Sequence, residues 1–149
     1  MSDELILYTN PQSRGRIARW MLEEVGQPYQ AEVLAFGEAM KAPAYLAINP
    51  LGKVPALRHG DMVVTEAAAI CAYLADAFPA AGLAPPSGSR LRGPYYRWLF
   101  FAAGPVEAAA TNKALGFTVP PGRERTAGYG SLADVLDALE RLLSQGDYV

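Results

Sequence analysis

The stretch "AINPLGKVPAL", residues 47–57, decides the fold, because a proline stands in it at the mouth of an extended segment. The overlapping stretch "ALRHGDMVV" is typical of two strands joined by a turn at Gly60-Asp61. Proline has no N–H and is kept out of β-ladders except at a first residue or an edge. Val54-Pro55 therefore either ends an ordinary loop in the trans form or adopts the cis form, which turns the backbone toward a ligand. Only about 5–6% of X–Pro bonds are cis, so this stretch alone favours the ordinary loop.

Upstream of this stretch, the pattern predicts a β-α-β unit with a parallel strand pair. Leu5–Tyr8 is a short apolar strand, and residues 13–26 form a helix with Ser13 at the N-cap position and Gly26 as its stop. Residues 28–34 alternate between apolar and polar side chains, which indicates a strand with one wet face. The apolar face expected of the helix consists of Ile17, Met21, Leu22 and Val25.

Downstream, residues 38–48 have helical character interrupted by Pro43, and the hairpin follows. Residues 65–79, "TEAAAICAYLADAFP", then give the clearest helix. Residues 1–80 therefore predict the order β-α-β-α-β-β-α, an α/β domain with a mixed four-stranded sheet. The apolar stripe expected of the last helix consists of Ala67, Ile70, Cys71, Leu74 and Phe78.

Beyond residue 80, the composition changes from α/β to helical. Residues 81–90 are rich in proline, glycine and serine and are interpreted as a linker. Residues 91–149 predict an all-α domain, with one helix over 93–115 kinked at Pro105 and another over 123–145. Because two helices leave a leucine face without a partner, we expect this helical domain to be incomplete.

Composition excludes several classes of function. The chain has 149 residues, of which 51% are hydrophobic and 19% charged, with a net charge of −2, so a folded core is expected and a nucleic-acid-binding surface is not. No apolar run reaches the roughly 18 residues that span a bilayer, and the acidic N-terminus is unlike a signal peptide, which predicts a cytoplasmic protein that does not bind membranes. One cysteine and one histidine exclude a CxxC redox pair and a His/Cys zinc site, and no metal is expected.

Three stretches of the chain together resemble the glutathione S-transferase family. They are "LYTNPQSRGRIARWMLEEVG", "NPLGKVPAL" and "TEAAAICAYLADAFP". The resemblance implies a thioredoxin-like glutathione-binding domain over 1–80, a linker over 81–90 and part of a helical domain over 91–149. It also implies that Val54-Pro55 is cis, and that the Val54 backbone pairs with the cysteinyl N–H and C=O of glutathione as an added strand.

The same resemblance implies how the charged ends of glutathione are bound. Glu66 would pair with the γ-glutamyl ammonium, and the backbone N–H of Ala67 would contact the γ-glutamyl carboxylate, where the family commonly has serine. Lys53 would reach the glycyl carboxylate. The alternatives remain that Glu66 only complements the helix dipole and that Lys53 is a solvated loop residue.

For activation of the thiol, the resemblance implies a residue near the end of strand 1 or the start of helix 1. Ser13 is the first candidate, because its hydroxyl and the positive end of the helix would both favour thiolate. Tyr8 is the second candidate, and a plain N-cap is the alternative role of Ser13. Possible helpers are Asn10, Gln12, Arg14 and Arg16, whereas His59 is interpreted as a surface residue and Cys71 as a buried core thiol.

The resemblance therefore implies a glutathione transferase that conjugates glutathione thiolate to a small hydrophobic electrophile. Glutathione is the co-substrate, no other cofactor is expected, and the family implies a homodimer. The electrophile would lie against the helical domain near Tyr95, Trp98, Leu99 or Phe101, which could equally be ordinary core residues. The alternative function is a non-catalytic dimerisation or binding module of the same fold, and the lack of a cysteine near helix 1 argues against a glutaredoxin-like reductase.

Overall fold

The chain forms two compact units, which divide between Ser89 and Arg90, inside the segment interpreted as a linker. The structure is a computed structural model that describes residues 4–146. The first unit is α/β and the second is helical.

A four-stranded mixed sheet forms the centre of the first unit, as predicted. Its strands are β1 (Leu5–Thr9), β2 (Gln30–Val33), β3 (Ala56–His59) and β4 (Met62–Thr65), in the order β2-β1-β3-β4. Strand β1 is parallel to β2 and antiparallel to β3, and β3 is antiparallel to β4. The β-α-β unit and the hairpin predicted from the sequence are both confirmed.

Four helices complete this unit in the predicted order. They are α1 (Gly15–Val25), α2 (Glu38–Lys41), α3 (Pro43–Leu46) and α4 (Ala67–Ala77), and a 3₁₀ turn at Pro79–Ala81 follows. The helical stretch before the hairpin is divided at Pro43, as expected, because the residue before a proline is pushed out of the helical conformation. The thioredoxin-like fold class is therefore confirmed.

The core lies on one face of the sheet, between the strands and the helices α1 and α4. Leu5 and Leu7 of β1 point into it, and the alternation of a strand sends Ile6 and Tyr8 to the opposite face. The core side chains contributed by the two helices and by β3 are Ala18, Leu22, Val25, Leu57, Ile70 and Leu74.

The burial of α1 and of β2 differs from the sequence predictions. Ile17 is 48% exposed, and the inner face of α1 is made by Ala18, Leu22 and Val25 instead. All four residues of β2 are exposed, so the predicted dry face is wrong. The reason is that β2 is an edge strand, and alternation in the sequence predicts burial only where a second layer covers the strand.

The second unit contains three α-helices within the described residues. Helix α5 (Arg92–Phe101) runs through a π-helical turn at Ala102–Val106 into α6 (Glu107–Leu115). Pro105 lies in that turn, so the regular α-helix is interrupted at the proline where a kink was predicted. Helix α7 (Leu132–Leu143) is shorter than predicted. It cannot start at residue 123, because Gly130 has a φ of 70° and Ser131 forms a capping box with Asp134.

Candidate functional site

Three segments of the first unit meet at one edge of the sheet. The register pairs Tyr8 with Ala56, and Ala56 with Thr65, so the end of β1, the start of β3 and the end of β4 are neighbours. The segment after β1 contains Ser13, the segment before β3 contains Lys53 and Val54, and the residues after β4 are Glu66 and Ala67. The sheet therefore brings the sequence-predicted site residues to one edge.

The loop before β3 is held by two buried side chains that the sequence analysis did not predict. The Tyr45 hydroxyl donates to the Lys53 carbonyl over 2.6 Å, and the Asn49 Nδ2 donates to the same oxygen over 2.8 Å. The Asn49 Oδ1 accepts from the Leu51 N–H at 3.1 Å, which closes the turn that leads to Lys53. The peptide bond between Val54 and Pro55 is cis, which confirms the prediction.

Tyr45 also links this loop to β1. Its ring lies 5.7 Å from the ring of Tyr8, measured between centroids, on the sheet face away from α1. Burial, together with the neighbouring Tyr8, raises the pKa of Tyr45 to about 12, so its hydroxyl remains a donor at any physiological pH. Tyr8 therefore packs against Tyr45, the residue whose hydroxyl holds the loop before β3.

The segment after β1 is a tight turn organised by Asn10 and Ser13. The Asn10 side chain donates to the Leu34 carbonyl over 2.8 Å and accepts from the Gln12 N–H over 2.9 Å. The Ser13 hydroxyl donates to the Asn10 carbonyl over 2.7 Å and accepts from the Gly15 N–H over 2.9 Å. Helix α1 begins at Gly15, so Ser13 lies one residue before the formal N-cap but still accepts from the first turn, as a capping side chain does.

The start of α4 is unusual because Glu66 has a φ of 67°, the sole positive φ among non-glycine residues that the structure describes. Such a conformation is disfavoured for an L-residue and often occurs at functional sites. The Glu66 side chain is exposed, and Ala67 begins the helix half-buried. Neither has a side chain that caps the helix, so the first N–H groups of α4 lack that intramolecular partner.

The remaining candidates fall into two groups. The first group has exposed side chains and lies, in sequence, beside the strand ends that form the sheet edge. It consists of Lys53, Gln12, Arg14 and Arg16. His59 and Cys71 lie elsewhere in the fold, and the structure corrects both interpretations. His59 is half-buried, with Nδ1 2.6 Å from the Tyr73 hydroxyl and its ring stacked on Phe78, because the hairpin folds back on α4. Cys71 is only partly buried, although that burial is enough to raise the pKa of its thiol.

Within residues 4–146, no group of three or more His, Cys, Asp or Glu side chains is arranged to hold a metal ion. Over the same residues, no helix is both long enough and apolar enough to cross a membrane.

Sequence reasoning missed Tyr45 and Asn49 for different reasons. Asn49 precedes Pro50, and an Asn-Pro pair favours the start of a turn, so its role in shaping the loop had a signal. Tyr45 had none, because its contact with Lys53 depends on how α3 packs beside the loop. Its burial, with 4% of its surface exposed, becomes apparent only in three dimensions.

Comparison with known proteins gives the same family over both units. The family model described as "Glutathione S-transferase, N-terminal domain" matches residues 3–76. A crystal structure of a glutathione transferase from Methylococcus capsulatus is similar over 95% of this chain and 70% of its own, with 31% identity and a TM-score of 0.76. A sphingomonad glutathione S-transferase complexed with glutathione is similar over 97% and 72%, with 28% identity and a TM-score of 0.75.

Among curated proteins, a glutathione S-transferase of Xanthomonas campestris is 35% identical over 95 residues, which are 64% of this chain and 46% of that protein. A probable glutathione S-transferase of rice is 47% identical over 55 residues, which are 36% of this chain and 26% of that protein. The chain thus aligns with less than half the length of these curated relatives. The fold, the sheet-edge site and these similarities agree: the chain belongs to the glutathione S-transferase family.

Proposed function

We propose that this protein binds glutathione at the sheet edge and conjugates its thiolate to a small hydrophobic electrophile. The observation that supports this most is the convergence of the Val54 backbone, the start of α4 and Ser13 at one edge of the sheet. A tripeptide with an ammonium, two carboxylates and a thiol needs a strand-like partner, an acid and a stabiliser of thiolate. The Val54 backbone is the strand-like partner, Glu66 at the start of α4 is the acid, and Ser13 is the stabiliser of thiolate.

In this proposal, the Val54 backbone pairs with the cysteinyl residue, and Glu66 contacts the γ-glutamyl ammonium. The N–H groups at the start of α4, beginning with Ala67, contact the γ-glutamyl carboxylate, and Lys53 contacts the glycyl carboxylate. The Ser13 hydroxyl and the N-terminal end of α1 stabilise the thiolate. The protein acts in the cytoplasm as a homodimer with domains at 1–80 and 91–149, and glutathione is a co-substrate rather than a bound cofactor.

Two measurements test this proposal. Calorimetry should show that glutathione binds, and that Glu66→Gln weakens binding by about tenfold or more, because a charge pair that the bound ligand buries typically costs about 2 kcal/mol or more when one partner is removed. A thermal unfolding scan should show that Glu66→Gln changes stability little, since the side chain is exposed. Unchanged affinity in Glu66→Gln would make Glu66 a helix-dipole residue only, and failure of the unaltered protein to bind would overturn the proposal.

A second candidate is a non-catalytic glutathione-binding or dimerisation module of the same fold. It is favoured by the Ser13 hydroxyl, whose proton is used by the Asn10 carbonyl, and by Ala67, which lacks the hydroxyl that the family commonly has there. The distinguishing measurement is conjugation of glutathione to an activated chloronitroarene. Binding without any rate above the uncatalysed reaction would favour the module.

A further inference from the structure

We propose that Tyr45 and Asn49 are positioning residues that aim the Val54 N–H at the ligand by holding the opposite side of its peptide bond. This inference rests on the proposed function, because it concerns how the loop presents its backbone to glutathione. Neither side chain touches the ligand in this scheme. Both act through the Lys53 carbonyl.

The geometry of a trans peptide carries the argument. The carbonyl of Lys53 and the N–H of Val54 belong to one planar unit, in which they point in opposite directions. Tyr45 and Asn49 hold that carbonyl toward the protein interior from donors at 2.6 Å and 2.8 Å. The Val54 N–H must then point outward, and within residues 4–146 it has no hydrogen-bond acceptor.

Two donors on one oxygen also affect the strength of the outward bond. Hydrogen bonds in a chain polarise one another, so a carbonyl that accepts twice makes the N–H of the same peptide a better donor. The two side chains that hold the Lys53 carbonyl, here called the anchors, are rigid. Tyr45 and Asn49 are only 4% and 5% exposed, and Tyr45 packs on Tyr8. A donor fixed before binding avoids the entropy cost of ordering the loop on binding.

Asn49 shapes the turn before Lys53 as well as holding the Lys53 carbonyl. Its Oδ1 accepts from Leu51 and its Nδ2 donates to Lys53, so one side chain defines both ends of the turn. Gly52, with a φ of 60°, lies between them, and an added Cβ there would be 2.5 Å from the Met40 carbonyl. The turn before Lys53 therefore has little conformational freedom of its own. Tyr45 and Asn49 fix the peptide that follows it.

The test uses Tyr45→Phe, which keeps the ring and removes only the hydroxyl, and Asn49→Asp, which keeps the acceptor for Leu51 and removes the donor to Lys53. Tyr73→Phe is the matched control, since it removes another tyrosine hydroxyl that hydrogen-bonds within the same unit, to His59. Glutathione affinity is measured by calorimetry, and the amide signal of Val54 is followed by NMR before and after glutathione is added.

We expect Tyr45→Phe and Asn49→Asp each to weaken glutathione binding by about threefold to tenfold and to shift the Val54 amide signal of the free protein. Tyr73→Phe should do neither. If conjugation is measurable, KM for glutathione should rise while kcat at saturating glutathione stays within about twofold, because the anchors do not touch the sulfur.

Different outcomes separate the two levels of the proposal. If the unaltered protein binds glutathione and both variants bind it equally well, the positioning role is wrong and the proposed function stands. If Tyr73→Phe weakens binding as much as Tyr45→Phe, the effect is general loss of stability and the positioning role is again wrong. If the unaltered protein does not bind glutathione, both proposals fail together. Should Asn49→Asp not fold, Tyr45→Phe decides the matter alone.

Discussion

The Ser13 hydroxyl donates its proton to the Asn10 carbonyl over 2.7 Å and accepts from the Gly15 N–H over 2.9 Å. A serine hydroxyl has one proton to donate, so it cannot donate to Asn10 and to a glutathione sulfur at once. Activation of the thiol by Ser13 therefore requires an exchange of partners. The Asn10 carbonyl would keep its bond from the Ser13 N–H at 3.0 Å.

The first prediction concerns Ser13→Ala. Removing the hydroxyl should raise the pH at which bound glutathione forms thiolate, seen as thiolate absorbance, while glutathione affinity changes little. It should also cost about 1 kcal/mol of unfolding free energy, as the loss of a capping side chain does. Tyr8→Phe is the comparison, and it should leave the thiol titration unchanged because Tyr8 faces Tyr45. A shifted titration in Tyr8→Phe and none in Ser13→Ala would reverse the assignment.

A second prediction concerns Gly15, which is buried at the start of α1. A Cβ there would collide with the Thr9 Oγ1 and lie 2.9 Å from the Ser13 Oγ. Gly15→Ala should therefore lower the unfolding free energy by about 1–3 kcal/mol, although alanine is the better helix former. Gly93→Ala in α5 is the control, because no heavy atom lies within 4 Å of its added Cβ. Equal urea midpoints for the two variants would contradict the close contact.

Most of the fold follows from local patterns, and the site follows only in part. The strands, the proline-divided helices and the Gly60-Asp61 turn are each coded by neighbouring residues, so they were predictable. The exposure of both faces of β2 was not predictable, because it depends on whether a second layer covers an edge strand. The same limit applies to Tyr45. Its hydrogen bond to the Lys53 carbonyl joins residues eight positions apart in the sequence and depends on the packing of α3.

A third prediction uses the raised pKa of Tyr45, which is about 12 in the folded protein against an ordinary value of 10.0. A group whose pKa is raised by folding contributes stability that is complete below pH 10 and is lost as the pH rises through 12. Because the pKa is raised, the tyrosinate absorbance of the unaltered protein minus that of Tyr45→Phe should titrate in a single step centred well above pH 10. A difference centred at 10 would contradict the burial of this hydroxyl.

A fourth prediction separates strain from chemistry at Glu66, whose φ is 67°. Glu66→Gly and Glu66→Ala both remove the carboxylate, so both should weaken glutathione binding to a similar extent. Glycine alone adopts a positive φ freely, and strain at such a position costs about 1–3 kcal/mol. Glu66→Gly should therefore be about 1 kcal/mol more stable than Glu66→Ala in urea unfolding. Equal stability would show that the backbone at Glu66 is unstrained.

The fifth prediction is a gain of affinity at Ala67, the first residue of α4, where the family commonly has serine. Ala67→Ser adds a hydroxyl beside the N–H groups proposed to contact the γ-glutamyl carboxylate. A hydrogen bond to a charged group is worth about 1.5–3 kcal/mol, so glutathione should bind about tenfold more tightly. Ala77→Ser, which adds the same hydroxyl at an exposed position at the opposite end of the same helix, should change nothing. If calorimetry gives equal affinity for Ala67→Ser and the unaltered protein, the γ-glutamyl carboxylate does not lie at the start of α4.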